Sequence, residues 1–271
     1  RIKFDERISM LVIFTTAFAM MVIGLGFIIF FVLFSSRHNK QNIEYLQNST
    51  ARAFGENIQF IEDGIISIRH NNELRDFLTS ESGNSKDAET QLAYAMDIFS
   101  ERNKKNTTYP FSNRVYLFNI NNLFVGISYY PETVKTRERA NEHFREIAER
   151  FLSLNENYHV FDGNENNTRI LAVKLFDDDM NYMGICAVEV NLDSIKEIFS
   201  SVDVYKKSYW EVGFKSLFSN DPNPLVQSNE GINISESEKE IAGIILITDY
   251  SFGMYSAISI DKSNIFILNA F

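Results

Sequence analysis

Disulfide chemistry is absent from this chain of 271 residues, which contains a single cysteine, Cys186. One cysteine cannot form an internal disulfide, so a hydrophobic core must hold the fold together. Positive charge is also in short supply, and the formal net charge is −10. Because a phosphate backbone attracts basic surfaces, this balance argues against nucleic acid as a partner. The composition thus disfavours both a small disulfide scaffold and a nucleic-acid-binding protein.

Catalytic and metal-binding motifs are absent as well. The sequence has no His-Glu-x-x-His, no Gly-x-Ser-x-Gly and no phosphate-binding Walker loop. We interpret the acidic triplet at residues 177–179 as a solvated turn, and the Ser-x-x-Lys match at residues 259–262 as chance. The histidines are scattered over different predicted elements: His38, His70, His143 and His159. We therefore expect no catalytic residue, no metal site and no cofactor.

Residues 8–36 contain no Asp, Glu, Lys or Arg. A helix of about 20 apolar residues crosses the hydrocarbon core of a bilayer, and this run is too long for the apolar core of a signal peptide. We predict a transmembrane helix over 8–36. Three basic residues precede it and two follow it closely, which favours a cytoplasmic flank at residues 1–7.

Residues 263–271 contain a second apolar run, which begins at Ile265. We interpret it as the start of a second transmembrane helix that returns the chain to the inner side. Residues 37–262 are then expected to lie outside the cell, anchored to the cell membrane at both ends.

A long stalk helix is predicted over residues 37–80, which contain no proline. Apolar residues recur there mostly at helical spacing: Ile43, Leu46, Phe54, Ile58, Ile61, Ile65 and Ile68. This stripe can pack on a sheet of the same chain or on the same helix of a second copy. We favour the sheet for the distal half and a dimer contact for the proximal half.

Beyond the stalk, the pattern changes from helical to alternating and predicts an α+β fold in two units. A membrane-distal sensor domain is expected over residues 81–203, and a smaller membrane-proximal domain over 204–262. In the distal unit we predict a hairpin (114–119 and 123–128), a helix (136–154), a strand near 160–163, two strands (169–176 and 183–190) and a helix (192–202). In the proximal unit we predict strands at 209–218, 225–228, 244–251 and 254–260, a turn at 220–224 and a helix at 236–242.

A ligand-binding cleft is the remaining chemical option. Small-molecule sites combine aromatic walls with a few convergent polar groups, and a lysine on a central strand is costly to bury without a partner. Aromatic residues on sheets can also be simple core. The candidate residues are Tyr116, Tyr129, Tyr130, Arg137, Asp162 and Lys174.

Several segments together resemble the double Cache sensor module: residues 48–65, 71–78, 114–119 (Arg-Val-Tyr-Leu-Phe-Asn), 183–195 and 255–263. They are most similar to the outer part of YesM-type membrane sensor histidine kinases. The resemblance implies Cache (PAS-like) sheet domains on one long helix, with the ligand in the distal sheet. It also implies a HAMP linker, a dimerising His helix and an ATP-binding kinase domain in the parent protein.

One pattern departs from that family. The aromatic-Arg-Trp-Tyr pattern of amino-acid-binding Cache modules is missing, because the single tryptophan, Trp210, lies in the second unit. The resemblance then implies that the ligand is a carbohydrate or a related solute and not an amino acid.

From these features we predict an extracytoplasmic ligand-sensing region of a bacterial membrane sensor histidine kinase. Its expected partners are a small-molecule ligand, the lipid bilayer and a second copy in a homodimer. The alternatives are the same input module on a chemoreceptor or a membrane-tethered transcription regulator, and an anchored extracellular enzyme or adhesion domain.

Overall fold

The structure is a computed structural model that describes residues 2–79, 87–95, 111–121, 123–128, 133–205, 207–215, 222–228 and 243–261. Its first helix, α1, runs without a break over Ile2–His70. The apolar part of α1 is exposed: its most apolar window is 0% buried, and within the described residues it is the one helix apolar and long enough to cross a membrane. The predicted helix over 8–36 is therefore present, and it continues directly into the folded region.

The predicted stalk helix over 37–80 is divided at Asn71. The helix α1 ends at His70, and α2 occupies Asn72–Thr79. The Asn71 side-chain oxygen accepts a hydrogen bond of 3.0 Å from the Leu74 amide, so this residue caps the start of α2. A third helix, α3, lies at residues 87–95.

Five antiparallel strands form the distal sheet, which we call sheet A. The strands are β1 (Ser112–Asn119), β2 (Phe124–Ser128), β3 (Tyr158–Asp162), β4 (Thr168–Phe176) and β5 (Tyr182–Asn191). Their order across the sheet is β2-β1-β5-β4-β3. Helix α4 (Val134–Leu152) is inserted between β2 and β3. The predicted hairpin is confirmed, with Tyr116 directly opposite Gly126.

Four antiparallel strands form the second sheet, sheet B. They are β6 (Ser208–Lys215), β7 (Pro222–Gln227), β8 (Gly243–Asp249) and β9 (Met254–Asp261), in the order β7-β6-β9-β8. Helix α5 (Leu192–Phe199) and a 3-10 turn (Val202–Val204) connect the two sheets.

The turn predicted over 220–224 is wrong in its second half, since residues 222–224 belong to β7. An edge strand tolerates prolines because its outer amides have no strand partner. The helix predicted at 236–242 and the second apolar run at 263–271 lie outside the described residues.

The helix α1 packs against both sheets. Its apolar stripe is buried within the single chain, from Ile43 at 0% exposure to Ile68 at 0%. The dimer contact expected for the proximal half is therefore not made through this stripe. Sheet B lies against that half of α1 because its inner side chains, including Ile258 and Ile260, join the same apolar core.

Candidate functional site

The outer face of sheet A, opposite α1, is covered by α4. The Thr133 hydroxyl accepts a hydrogen bond from the Thr136 amide and caps the helix. From there, five α4 residues at helical spacing are buried: Ala140, Phe144, Ile147, Ala148 and Phe151. They form a separate apolar cluster with alternate residues of the strands. Because strand side chains alternate between faces, this cluster is distinct from the core against α1.

Tyr116, on β1, belongs to this cluster and is 3% exposed. Its ring stacks on Phe144 with a centroid distance of 3.9 Å, and its hydroxyl donates a 2.9 Å hydrogen bond to the Asn141 side chain. The ring lies flat over the neighbouring strand, where a Cβ on Gly126 would come within 2.3 Å of it. A glycine at this position is what permits the tyrosine to hold α4 against the sheet.

A buried ion pair adjoins Tyr116 on the same face. The Arg114 Nη1 atom donates to Glu189 Oε2 at 2.6 Å, and these side chains are 6% and 0% exposed. The Thr168 hydroxyl lies 3.2 Å from the other Glu189 oxygen. Burial raises the pKa of the Glu189 carboxyl, although Arg114 and Thr168 act to lower it. The removal of water outweighs the attraction of the guanidinium at this site.

Sequence reasoning missed Arg114, Glu189 and Thr168. A signal was present, since Glu189 interrupts an otherwise apolar predicted strand and Arg114 begins another. The pairing itself was not visible, because it depends on the register that sets Arg114 opposite Glu189 across β1 and β5.

Lys174, a predicted site residue, shares the outer face with Tyr116. Its Nζ atom donates a 2.6 Å hydrogen bond to the Leu154 carbonyl just beyond α4 and lies 5.0 Å from the centre of the Phe151 ring. Burial lowers the pKa of the Lys174 ammonium, while the nearby Glu156 acts in the opposite direction. The lysine therefore ties the end of α4 to a central strand.

Arg137 and Asp162 lie apart from Tyr116 and Lys174. Arg137, on α4, forms a 3.0 Å ion pair with Glu89 of α3, and both side chains are about half exposed. The Asp162 side chain is 91% exposed, and its position alternates with Phe161, which belongs to the α4 cluster. Asp162 therefore lies on the α1 side of β3 and does not join the other predicted residues. Tyr129 and Tyr130 lie outside the described residues.

A small void lies on the opposite, α1-facing side of sheet A. It has a volume of about 10 Å³ and is lined mainly by apolar side chains, among them Ile58, Leu171 and Ile195. A space of this size holds at most about one water molecule. This void is therefore too small for a solute.

No family model matches this chain, and no curated protein matches it. Solved structures with a similar chain arrangement include the sensory domain of the Campylobacter jejuni chemoreceptor Tlp3 with isoleucine bound, at 12% identity and a TM-score of 0.43, with 86% of this chain and 98% of that chain covered. The ligand-binding domain of the Pseudomonas aeruginosa chemoreceptor PctC with GABA has 13% identity, a TM-score of 0.42 and coverages of 83% and 100%.

A third similar structure is the extracellular domain of rpHK1S-Z16, described as a candidate histidine kinase. It has 8% identity, a TM-score of 0.48 and coverages of 86% and 98%. All three TM-scores lie below 0.5, so none of these similarities assigns a ligand or an output to this chain.

Proposed function

We propose that this chain is the extracytoplasmic signal-input region of a membrane sensor, which binds a small solute and passes the event to the membrane. The observation that carries the proposal is the continuity of α1. One helix holds an exposed apolar segment of membrane-spanning length and then forms the core of both sheets through Phe54, Ile58 and Ile61. A movement of either sheet therefore acts directly on the segment in the bilayer.

The solute binds on the outer face of sheet A, beneath α4. Tyr116, Asn141 and Lys174 supply hydrogen-bonding groups there, and the Arg114–Glu189 pair adjoins them. Small-molecule sites have this combination of apolar walls and a few oriented polar groups. Together with the sequence resemblance, it makes carbohydrates the first ligand class to test, and a YesM-type histidine kinase the proposed parent protein.

A turn of sheet B provides the route from sheet A to α1. Tyr158 of β3 contacts Phe252 in the 3-10 turn Ser251–Gly253, with ring centroids 6.3 Å apart. Next to Phe252, the Ser251 hydroxyl donates a 2.6 Å hydrogen bond to Glu62 of α1. The preceding Tyr250 hydroxyl donates to the Ala51 carbonyl of α1 at 2.8 Å. A ligand that binds one arrangement of sheet A more tightly than another would favour the matching position of α1 through this turn. The free energy of that shift is at most the difference between the ligand's binding free energies for the two arrangements.

The binding step is tested with the 271-residue chain in lipid nanodiscs. Thermal unfolding is measured with panels of sugars, amino acids and organic acids, and a ligand is expected to raise the midpoint. Asn141→Ala and Lys174→Met should each reduce that shift. Glu142→Ala is the matched control, since it changes the exposed neighbour of Asn141 on the same helix. A shift that both site variants retain would place the ligand elsewhere.

The membrane arrangement is tested by proteolysis. In right-side-out vesicles, trypsin added outside should cleave within residues 37–262. Protection of that region until the vesicles are opened would contradict an extracellular location.

The dimer is proposed on the exposed side of α1, which carries Tyr45, Asn48, Arg52, Glu56 and Gln59. An Arg52→Cys variant should form an intermolecular disulfide in the membrane under mild oxidation, because native Cys186 is buried and unavailable. An Asp178→Cys variant, at an exposed turn of sheet A, is the control. Equal crosslinking of both variants would indicate random collision.

A further inference from the structure

The turn between β8 and β9 has an unusual backbone. It comprises Ser251–Gly253, and the Tyr250 amide donates a 2.8 Å hydrogen bond to the Met254 carbonyl, which closes a three-residue hairpin loop. In the common form of this loop, a type I turn precedes one residue in the left-handed region. Gly253, with a φ of 68°, occupies that position. Here the preceding residue, Phe252, is left-handed as well, with φ and ψ of 58° and 27°.

Left-handed backbone is costly at Phe252. The Cβ of an L-residue comes too close to the following carbonyl oxygen there, and only glycine, asparagine and aspartate adopt this conformation readily. Bulky residues in this region are true outliers, and such strain is concentrated at active sites and switch regions. A relaxed alternative exists, because moving Phe252 alone to the right-handed region would give the common loop. The turn thus has two accessible backbone forms, and the structure shows the strained one.

Sheet A holds the strained form in place through Tyr158 of β3. The Tyr158 and Phe252 rings contact each other edge to face, with centroids 6.3 Å apart and planes at 75°. The same tyrosine ring covers the backbone of Gly253, where a Cβ would lie only 3.1 Å from it. Both aromatic side chains are partly buried, so their contact removes apolar surface from water. This contact offsets the backbone strain for as long as sheet A stays in place.

On its other side, the turn contacts α1 through the two residues before Phe252. The Tyr250 hydroxyl donates to the Ala51 carbonyl at 2.8 Å, and the Ser251 hydroxyl donates to Glu62 at 2.6 Å. Since these acceptors lie about 16 Å apart along the helix, the turn holds α1 at two levels. A change of backbone conformation at Phe252 would turn Ser251 relative to α1 and alter these contacts.

We propose that this turn is a two-position switch, which Tyr158 sets. While the Tyr158 ring packs on Phe252 and Gly253, the turn keeps its left-handed form and its bonds to α1. When sheet A withdraws that ring, Phe252 relaxes to the right-handed region and the hydroxyl of Ser251 leaves Glu62. The switch rests on the proposed function only for the event that moves sheet A, because its two positions are properties of the turn itself.

Backbone strain is tested first, by two substitutions that both remove the Phe252 ring. Phe252→Gly relieves the strain and Phe252→Ala keeps it, so the glycine variant should unfold at the higher urea concentration. The matched control pair is Ser251→Gly and Ser251→Ala, at a residue that is not left-handed. There the order should be reversed, because glycine loses more conformational freedom on folding than alanine does. A Phe252→Gly variant no more stable than Phe252→Ala would overturn the proposal.

The change of position is tested by thiol chemistry in the 271-residue chain in lipid nanodiscs, without any ligand. Ser251→Cys should react slowly with iodoacetamide, because the carboxylate of Glu62 disfavours its thiolate. Adding Tyr158→Ala should speed the reaction at least about fivefold, the factor to which strain of this kind corresponds. Buried Cys186 should stay unmodified in both chains, which shows that sheet A remains folded.

A further substitution separates a switch from simple loosening of the turn. With Tyr158→Ala present, Phe252→Gly should return the reaction of Ser251→Cys to its slow rate, since glycine keeps the left-handed form without strain. Phe252→Ala in the same background should leave the reaction fast. Equal rates for the glycine and alanine variants, or no acceleration by Tyr158→Ala, would overturn the proposal. The solute site on sheet A is measured separately with its ligand panel, so failure of either test leaves the other proposal standing.

Discussion

The side-chain amide of Gln47 on α1 donates a 2.7 Å hydrogen bond to the main-chain carbonyl of Ile244 on β8, and another of 3.3 Å to the carbonyl of Ile258 on β9. Gln47 is 2% exposed, about three helical turns beyond the apolar segment that ends near residue 36. One side chain thus fixes the helix that leads to the membrane against two neighbouring strands of sheet B.

Replacing Gln47 by leucine is expected to lower the free energy of unfolding by about 1–3 kcal/mol, because the buried Ile258 carbonyl and the partly buried Ile244 carbonyl lose a donor. The measurement is urea denaturation followed by the fluorescence of Trp210, which is buried against Phe199. Asn48→Ala, which removes an exposed bond within the same helix, should change stability by less than about 0.5 kcal/mol. Equal effects of the two substitutions would show that the contact with sheet B contributes nothing measurable.

Gly126→Ala is expected to destabilise the chain by about 1–3 kcal/mol, since the new methyl group would displace the Tyr116 ring from Phe144 and Asn141. The same substitution at Gly24, in the apolar segment of α1 and without a tertiary contact to its added Cβ within 4 Å, should leave the unfolding of the two sheets unchanged. Urea denaturation compares the two variants. A neutral Gly126→Ala would mean that Tyr116 does not need its present position to hold α4.

The Arg114–Glu189 pair should show strong non-additivity. Glu189→Gln removes the carboxylate that pairs with a buried guanidinium and is expected to cost about 3–5 kcal/mol, whereas the double variant Arg114→Met with Glu189→Leu should recover most of that loss. A double-mutant cycle by denaturation measures the coupling. If the loss of stability in the double variant equalled the sum of the losses in the two single variants, the ion pair would not account for those losses.

The raised pKa of the Glu189 carboxyl predicts a pH dependence. The folded chain keeps this proton at pH values where the unfolded chain has lost it. Stability from this group is therefore fully present below the ordinary glutamate pKa, about 4.3, and is lost as pH rises through the raised value. The stability difference between the native chain and Glu189→Gln should fall over that window, by at most about 1.4 kcal/mol per pH unit. A difference that rises with pH would mean that Arg114 dominates instead.

Cys186 offers a probe of sheet A. Burial raises the pKa of its thiol to about 12, and its side chain is 0% exposed. Since the thiolate is the reactive form, iodoacetamide at pH 8 should modify the folded chain at least about 100-fold more slowly than the chain in urea. A solute bound under α4 should slow the modification further. Comparable rates for the folded and unfolded chain would contradict the buried position of β5.

Elements that depend on local pattern were predictable from the sequence. The helix over 8–36 follows from the absence of charge, and the β1–β2 hairpin follows from alternation around a turn. Lys174 was recognisable as a costly residue on a central strand, and the structure gives it the Leu154 carbonyl as a partner.

Relationships between distant segments were not predictable in this way. Asp162 lies on the face of β3 opposite the α4 cluster, away from Tyr116 and Lys174. The register of β3 with β4 decides which side of the sheet it takes. The proximal stripe of α1 could equally have met a second copy, and only the position of sheet B decides that it packs on the same chain.

The sequence by itself determined a charge-free segment that continues into an amphipathic helix, followed by two groups of strands. Only the tertiary structure decided that Arg114 meets Glu189 across 75 positions of the chain, and that Tyr158 of sheet A meets Phe252 of sheet B. The physical reason is that helical and strand periods are local properties of the chain. Strand register and sheet order arise from contacts between segments far apart in sequence, and these decide which polar groups come together.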